Sequence, residues 1–348
     1  MRFLAITSMK NEGAFVLEWL AHLRTVGFTD LLVFSNDCAD GTDAMLDRLQ
    51  AMGALTHIRQ SGPFEEGPQW SALKQADRHP LRKAADWVMV LDVDEFPVIH
   101  VGDGTLSALV EALPEADAIP LTWRLFGNNG VVAYEDRPIS TQFTRAAPAV
   151  MRWPWRAQMF KTLVRSGAGY RKLGVHRPRS LAPDAAPRWF DGSGRELPDL
   201  FRANRLFSLL GEENYRLAQL NHYPLGAMES YVVKCDRGRA NRAAGAFDMS
   251  YWVERNFSTA EDRSIDRYAA QMGSLRQQFL ADPELARLHA GAVAWRKARF
   301  EALMAEEAYR ALFGRLMLTP ASEPLSEAAE ARMVALGRRA QGAAGETI

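Results

Sequence analysis

The stretch Trp87-Val88-Met89-Val90-Leu91-Asp92-Val93-Asp94-Glu95-Phe96 changes character half-way along. Trp87 to Leu91 is apolar and partly β-branched, with no polar position left to face water. That is the pattern of a strand covered on both faces, as in a parallel sheet. Asp92, Asp94 and Glu95 follow at its exit. Three acids so close repel one another unless a cation or a network of donors sits among them. In an extended chain Asp92 and Asp94 point to one side, with Val93 directed into the protein. Open α/β sheets bind ligands just outside the carboxyl ends of their strands. A pair of carboxylates placed there suits a hard divalent cation, Mn²⁺ or Mg²⁺, that also holds a phosphate. A lone D-x-D is short, and is more often a solvated loop closing a strand. Its surroundings decide.

Upstream, strand and helix patterns alternate. Phe3 to Ile6 reads as a strand, and Ala14 to Val26 as a helix with Val16, Trp19, Leu20, Leu23 and Val26 at helical spacing, Asn11 as N-cap and Gly27 as its stop. Leu31 to Phe34 is a second strand, followed by a helix through Met52. Leu55 to Ile58 is a third, followed by a helix over Gln69 to Lys83. This order predicts right-handed βαβ units and a largely parallel sheet. The loop after each strand carries polar residues: Lys10 and Glu12, then Asn36, Asp37 and Asp40, then the acids. Each group alone is ordinary turn chemistry; together they ring one edge of the sheet and point to a ligand site. Neither G-x-G-x-x-G after the first strand nor G-x-x-x-x-G-K-[ST] occurs, so the dinucleotide and P-loop readings lose their main support.

Composition narrows the class further. The 348 residues hold 42 Lys plus Arg against 42 Asp plus Glu, so no overall field recruits nucleic acid or an acidic membrane. Two cysteines, Cys38 and Cys235, argue for a reducing compartment rather than a disulfide framework. No apolar run approaches the roughly 18 residues of a membrane span. The expectation is a cytoplasmic protein, at most in peripheral contact with a membrane.

Thr7-Ser8-Met9-Lys10-Asn11-Glu12 resembles the first-strand motif of family 2 glycosyltransferases, and Ser35-Asn36-Asp37-Cys38-Ala39-Asp40-Gly41-Thr42 resembles that family's D-D-G-S-x-D-G-T segment, with Cys38-Ala39 where the family has Gly-Ser. Leu91-Asp92-Val93-Asp94-Glu95-Phe96 matches its D-x-D element in place and order. The segments Trp123 to Gly127, Lys161 to Arg165, Gly174 to Pro178 and Asn221-His222-Tyr223, with Glu229, Lys234 and Arg237, are similar to a soluble, non-processive, family 92-like branch. The resemblance implies a GT-A-like three-layer α/β/α sandwich, mostly parallel, with a C-terminal helical extension. The implied divisions are a glycosyltransferase domain over 1–250 (nucleotide half 1–100, acceptor half 101–250) and an extension over 251–348 with a frayed tail.

The resemblance further implies a metal-dependent transfer of sugar from a nucleotide diphosphate sugar to a saccharide or other hydroxyl acceptor, with inversion, in polysaccharide or glycoconjugate synthesis. Thr7, Lys10, Glu12, Asn36, Asp37 and Asp40 would hold the nucleotide. Asp92 and Asp94 would hold Mn²⁺ or Mg²⁺, with one more place for a neutral imidazole, His222 ahead of His176. Lys234 and Arg237, three apart on a helix, can clamp a diphosphate. An inverting displacement needs a carboxylate base: Asp191 and Glu229 are candidates, Glu135 and Asp136 weaker ones. The run Met151-Arg152-Trp153-Pro154-Trp155-Arg156, with Trp123, offers sugar-stacking rings or a packed lid. A sugar-phosphate nucleotidyltransferase is the first alternative, but it calls for a Gly-rich, Arg-containing loop after the first strand, which this sequence lacks. A non-catalytic glycan-binding scaffold is the second, and the retained acids speak against it.

Overall fold

A computed structural model of the chain describes residues 1–238 and 248–344. The first half alternates as expected: β1 (Phe3–Met9), α1 (Val16–Val26), β2 (Asp30–Asn36), α2 (Thr42–Ala51), β3 (Thr56–Gln60), α3 (Pro68–Ala76), α4 (Pro80–Ala84) and β4 (Trp87–Val90). The expected helix over 69–83 is thus two, separated before Pro80, which lacks the amide needed to continue the first. Next come β5 (Glu95–Ile99), α5 (Leu106–Ala112), β6 (Ala118–Leu125), α6 (Ile139–Gln142), β7 (Arg145–Ala146) and β8 (Phe160–Arg165). The hairpin β9 (Tyr170–Lys172) and β10 (Arg179–Leu181) precedes α7 (Leu200–Ala203), β11 (Ala218–His222), α8 (Met228–Arg237), α9 (Met249–Val253) and β12 (Ala260–Glu261). Four helices end the described chain: α10 (Ala269–Leu280), α11 (Pro283–Leu303), α12 (Glu307–Leu318) and α13 (Glu327–Ala344). The frayed tail expected beyond, 345–348, lies outside the described residues.

Eight strands form one sheet in the order β3-β2-β1-β4-β8-β6-β11-β5. Its β3-β2-β1-β4 half is wholly parallel, and β6 also runs parallel to β11. β8 is antiparallel to both its neighbours, and β5 is antiparallel to β11. Both faces are covered, which makes three layers. Phe3, Ala5, Leu31, Val33, Trp87 and Met89 join one core cluster with α1 and α2. Leu4, Ile6, Leu32, Phe34, Val88 and Val90 join another with Ala72, Leu73 and Ala76 of α3. With each such side chain worth about 1.5–3 kcal/mol when buried, neither face tolerates a polar position, hence the unbroken apolar run that opens the sequence.

Gly27 ends α1 as expected, at φ 107°. Asn11 does not cap the helix. It lies in the preceding loop at φ 55°, where its Oδ1 accepts from the Ala39 amide at 2.7 Å. The C-terminal helices share the main core: Met272 of α10 and Leu285 and Ala292 of α11 belong to the cluster that buries α1.

Candidate active site

The acids do not continue a strand. Leu91 still bonds to β1 through the Ile6 carbonyl at 2.9 Å, but the chain then turns, with the Glu95 amide donating to the Asp92 carbonyl at 3.1 Å. It enters β5 at Glu95, opposite His222 of β11. The link therefore carries the chain from the centre of the sheet to its edge strand. The expectation that Asp92 and Asp94 share one side as alternate residues of an extended segment is corrected by this turn: each aspartate meets its own lysine.

Lys161, second residue of β8, is fully buried and donates to Asp92 Oδ2 at 2.9 Å, with Glu95 Oε2 at 3.5 Å. Gln69 Nε2 reaches Asp92 Oδ1 at 3.3 Å. Glu95 is also fully buried. Its Oε1 accepts from Trp123 Nε1 at 2.7 Å and its Oε2 from the Asp92 amide at 2.9 Å. Burial, aided by Asp92 and Asp94 and opposed by Lys161, pushes the Glu95 carboxyl up to about 8. Burial works against the charge on Lys161, yet Asp92 and Glu95 outweigh it and hold its ammonium above the ordinary range. The charge of Lys161 is thus balanced chiefly by Asp92.

Asp94 Oδ2 accepts from Lys234 Nζ of α8 at 2.8 Å, and the same ammonium donates to the Pro224 carbonyl at 2.7 Å. His222 Nε2 lies 3.7 Å from Asp94 Oδ1. Burial first, then Lys234, pushes the His222 imidazole well below its ordinary range, so it is neutral. Its Nδ1 is buried with no partner among the described residues, and its ring packs on Trp123 at 4.3 Å between centroids. Asp94 opens on a cavity whose wall includes Glu12, Lys234, Arg237 and Arg296. Arg237 is bonded to the Glu12 carboxylate and donates to the Lys10 carbonyl at 3.1 Å.

At the ends of β1 and β2, Thr7 Oγ1 and Asn36 Oδ1 are buried without a partner among the described residues. Asn36 Nδ2 donates to Asp37 Oδ2 at 3.2 Å, and Asp37, at φ 47°, is exposed. Asp40 is a fastener. It accepts from the Thr42 amide and hydroxyl at 2.9 and 2.6 Å and from the Gly13 amide at 2.9 Å. Those bonds tie the first two loops together and leave its carboxylate committed.

The profile of glycosyltransferase family 92 matches residues 6–191, more than half of the sequence. The chain belongs to glycosyltransferase family 92. The match carries β1 through β8 and the D-x-D, and so agrees with the resemblance to family 2 and its family 92-like branch. A search of curated proteins finds no match. Among solved structures, S. aureus TarS 1-349 is 15% identical at a TM-score of 0.31, over 48% of this chain and 48% of that one. Glucosyl-3-phosphoglycerate synthase from Mycobacterium tuberculosis, with Mn²⁺, uridine diphosphate and glucosyl-3-phosphoglycerate, is 16% identical at 0.25, over 35% and 44%. A putative glucose-1-phosphate thymidylyltransferase from Bacillus anthracis is 10% identical at 0.28, over 48% and 72%. The chain spans about half the length of the first of these, and likenesses this distant decide nothing about substrate.

A family 92 chain with a D-x-D implies a divalent cation. Donor atoms of one such ion, each at about 2.1 Å, lie roughly 3–4 Å apart. Asp94 Oδ1 and the neutral His222 Nε2 meet that spacing and fit as adjacent ligands. Asp92 is instead committed to Lys161 and Gln69. His176 faces the Phe160 carbonyl through Nδ1 at 3.0 Å, on the Lys161 side of Trp123. Among the described residues no three His, Cys, Asp or Glu side chains gather as a metal cluster. Of the four expected donors, Asp94 and His222 thus form a pair at ligand spacing, while Asp92 and Asp94 are each bonded to a lysine and His176 to the Phe160 carbonyl.

The remaining candidates separate. Asp191 is held by the Ser193 and Arg195 amides and by Arg195 Nε at 2.8–2.9 Å. It sits beside Ala118, the opposite end of β6 from Leu125, which lies against His222. It is a loop anchor on the wrong edge, not a base. Glu229 accepts from the Tyr134 amide at 2.8 Å and precedes the cavity-lining Ser230. Glu135 pairs with Arg137 on the surface, while Asp136 is engaged by His289 at 3.2 Å and Arg276 at 3.4 Å. Trp153 and Trp155 pack edge to face at 4.4 Å, with Trp155 against Gly337 of α13, and so serve as packing rather than a sugar platform. Lys161, Gln69 and Arg296 were not singled out as site residues from the sequence. The available signal was a lysine inside a mostly buried strand and an arginine on the buried face of a helix.

Proposed function

We propose that this protein transfers a sugar from a nucleoside diphosphate sugar to an acceptor hydroxyl, with inversion and with Mn²⁺ or Mg²⁺, in polysaccharide or glycoconjugate synthesis. The observation that carries this reading is the meeting of Asp94 and Lys234 on a cavity at the carboxyl end of the sheet, in a chain of family 92. A departing diphosphate needs positive groups fixed before the bond breaks, because such groups stabilise the new charge without reorganising. Lys234 and Arg237 supply them, each anchored on a backbone carbonyl as well as a carboxylate. Asp94 and His222 would hold a divalent cation, which would supply Lewis-acid neutralisation of the same leaving group. The unpartnered Thr7 and Asn36 oxygens accept from base or ribose, and Lys10 and Asp37 flank them. Glu229 is the base of this scheme, taking the acceptor's proton. Inversion rests on the family 2 resemblance. A reducing, cytoplasmic location is supported by Cys38 and Cys235, both free thiols. No helix among the described residues is long and apolar enough to cross a membrane.

The test is incubation of the purified protein with a panel of nucleotide sugars and Mn²⁺. Release of nucleoside diphosphate, slow without acceptor and metal-dependent, supports the transferase. Consumption of pyrophosphate with a sugar phosphate product identifies a nucleotidyltransferase instead, and saturable glycan binding without turnover a scaffold.

A further inference from the structure

Two arginines share the wall of the cavity beside Asp94, and they come from different parts of the chain. Arg237 ends α8, while Arg296 sits in the middle of α11, over one hundred residues past the end of the family 92 match. Arg296 is 5% exposed, and its guanidinium lies over the Phe15 ring at 4.5 Å to the centroid. Its hydrogen bonds are poor: Nη1 to the Ser230 carbonyl and Nη2 to the Asn11 carbonyl, both at 3.4 Å. A guanidinium has five N–H donors, so most of its capacity is unspent.

The carboxylates nearby are already claimed. Glu12 is bonded to Arg237 and stands 3.9 Å from Arg296, while Asp94 is held by Lys234. Among the described residues three cations therefore face two acids across this wall, and the carboxylate nearest Arg296, that of Glu12, is already bonded to Arg237. Ser230 Oγ, on the same wall, is buried with no partner among the described residues. Buried positive charge of this kind is costly unless an anion completes it. The helix is also closely seated on the first loop: a Cβ added at Gly13 would stand 2.7 Å from the Ala292 Cβ of α11.

We propose that Arg296 binds the diphosphate of the donor, so that the C-terminal helices complete the active site rather than merely packing against it. This rests on the nucleotide sugar reading above and adds the residue that reads the anion. Arg237 and Arg296 approach it from two elements, with Lys234 beside them.

The experiment compares calorimetric affinities for uridine and guanosine diphosphates, with Mn²⁺, against those for uridine and guanosine. Arg296→Gln should lose roughly 10- to 100-fold for the diphosphate that the wild type binds, and nothing for the nucleoside. Arg296→Lys should recover part of the loss. Arg287→Gln, an exposed residue of the same helix, should leave both affinities unchanged. A merely structural arginine would lower thermal stability and weaken nucleoside and diphosphate alike, and that outcome overturns the proposal. So does unchanged diphosphate affinity in Arg296→Gln. If the wild type binds neither diphosphate more tightly than its nucleoside, the nucleotide sugar reading itself falls, and this inference with it.

Discussion

Lys161 shows how much a single buried charge decides here. It is fully buried against Asp92, whose side chain is 36% exposed, and Glu95, which is fully buried, so removing it leaves charge uncompensated beside a carboxyl group that has already lost its water. Lys161→Met should cost about 3–5 kcal/mol of unfolding free energy, measured by urea denaturation. Adding Glu95→Gln should return part of that loss, because the pair is coupled; strictly additive costs would show that the two side chains do not interact. Glu95 also carries a pH signature. Its folded carboxyl is raised from the ordinary 4.5 to about 8, so the folded chain holds this proton more tightly than the unfolded one. That contribution is complete below about pH 4.5 and is lost as pH rises towards 8. Lys161, raised from 10.5, titrates above this window and does not mask it. Melting temperature should therefore fall across that range in the wild type, and less steeply in Glu95→Gln. The sequence marked Asp92, Asp94 and Glu95 as the place to look. It could not pair them with their lysines, because Lys161 and Lys234 lie 69 and 140 positions downstream of Asp92 and Asp94 and only the fold brings them back.

At the scale of elements, β1 to β4 were legible because both of their faces are apolar and the pattern is unbroken. β5, β8 and β11 were not foreseen. They hold Pro97, Lys161, Thr162, Gln219, Asn221 and His222, and such residues interrupt the apolar signal. Yet Lys161 and His222 are the ones turned towards the acids, so the strands that serve the site are the ones that periodicity misses. The same logic applies to α11, whose buried face includes Arg296 and His289 beside Leu285, Ala292 and Phe300. Its seat on the first loop is tight, and Gly13→Ala should force it away from that loop. The expected cost is about 1–3 kcal/mol by urea denaturation, with weaker diphosphate binding because Arg296 moves with its helix. Retained stability and binding would mean that the loop yields instead.

Taken whole, the molecule sets polar loops from the first half of the chain against α8 and α11 from the second, with the crossing from β4 to β5 between them. The alternating strands and helices of the parallel half were readable from periodicity, and the three-layer sandwich with its helical end from the family resemblance. The division of labour was not, since the main core runs from β1 through to α11 and no compositional break marks it. What this arrangement does chemically turns on Asp94, the acid that joins Lys234, His222 and the cavity. The most direct measurement is nucleoside diphosphate release from the preferred nucleotide sugar, with and without Mn²⁺, by the wild type and Asp94→Ala, with circular dichroism as the check on folding. Metal-stimulated release that disappears in a folded Asp94→Ala, a loss of at least 100-fold, is the expected result. Undiminished release by that variant would contradict the assignment of this site.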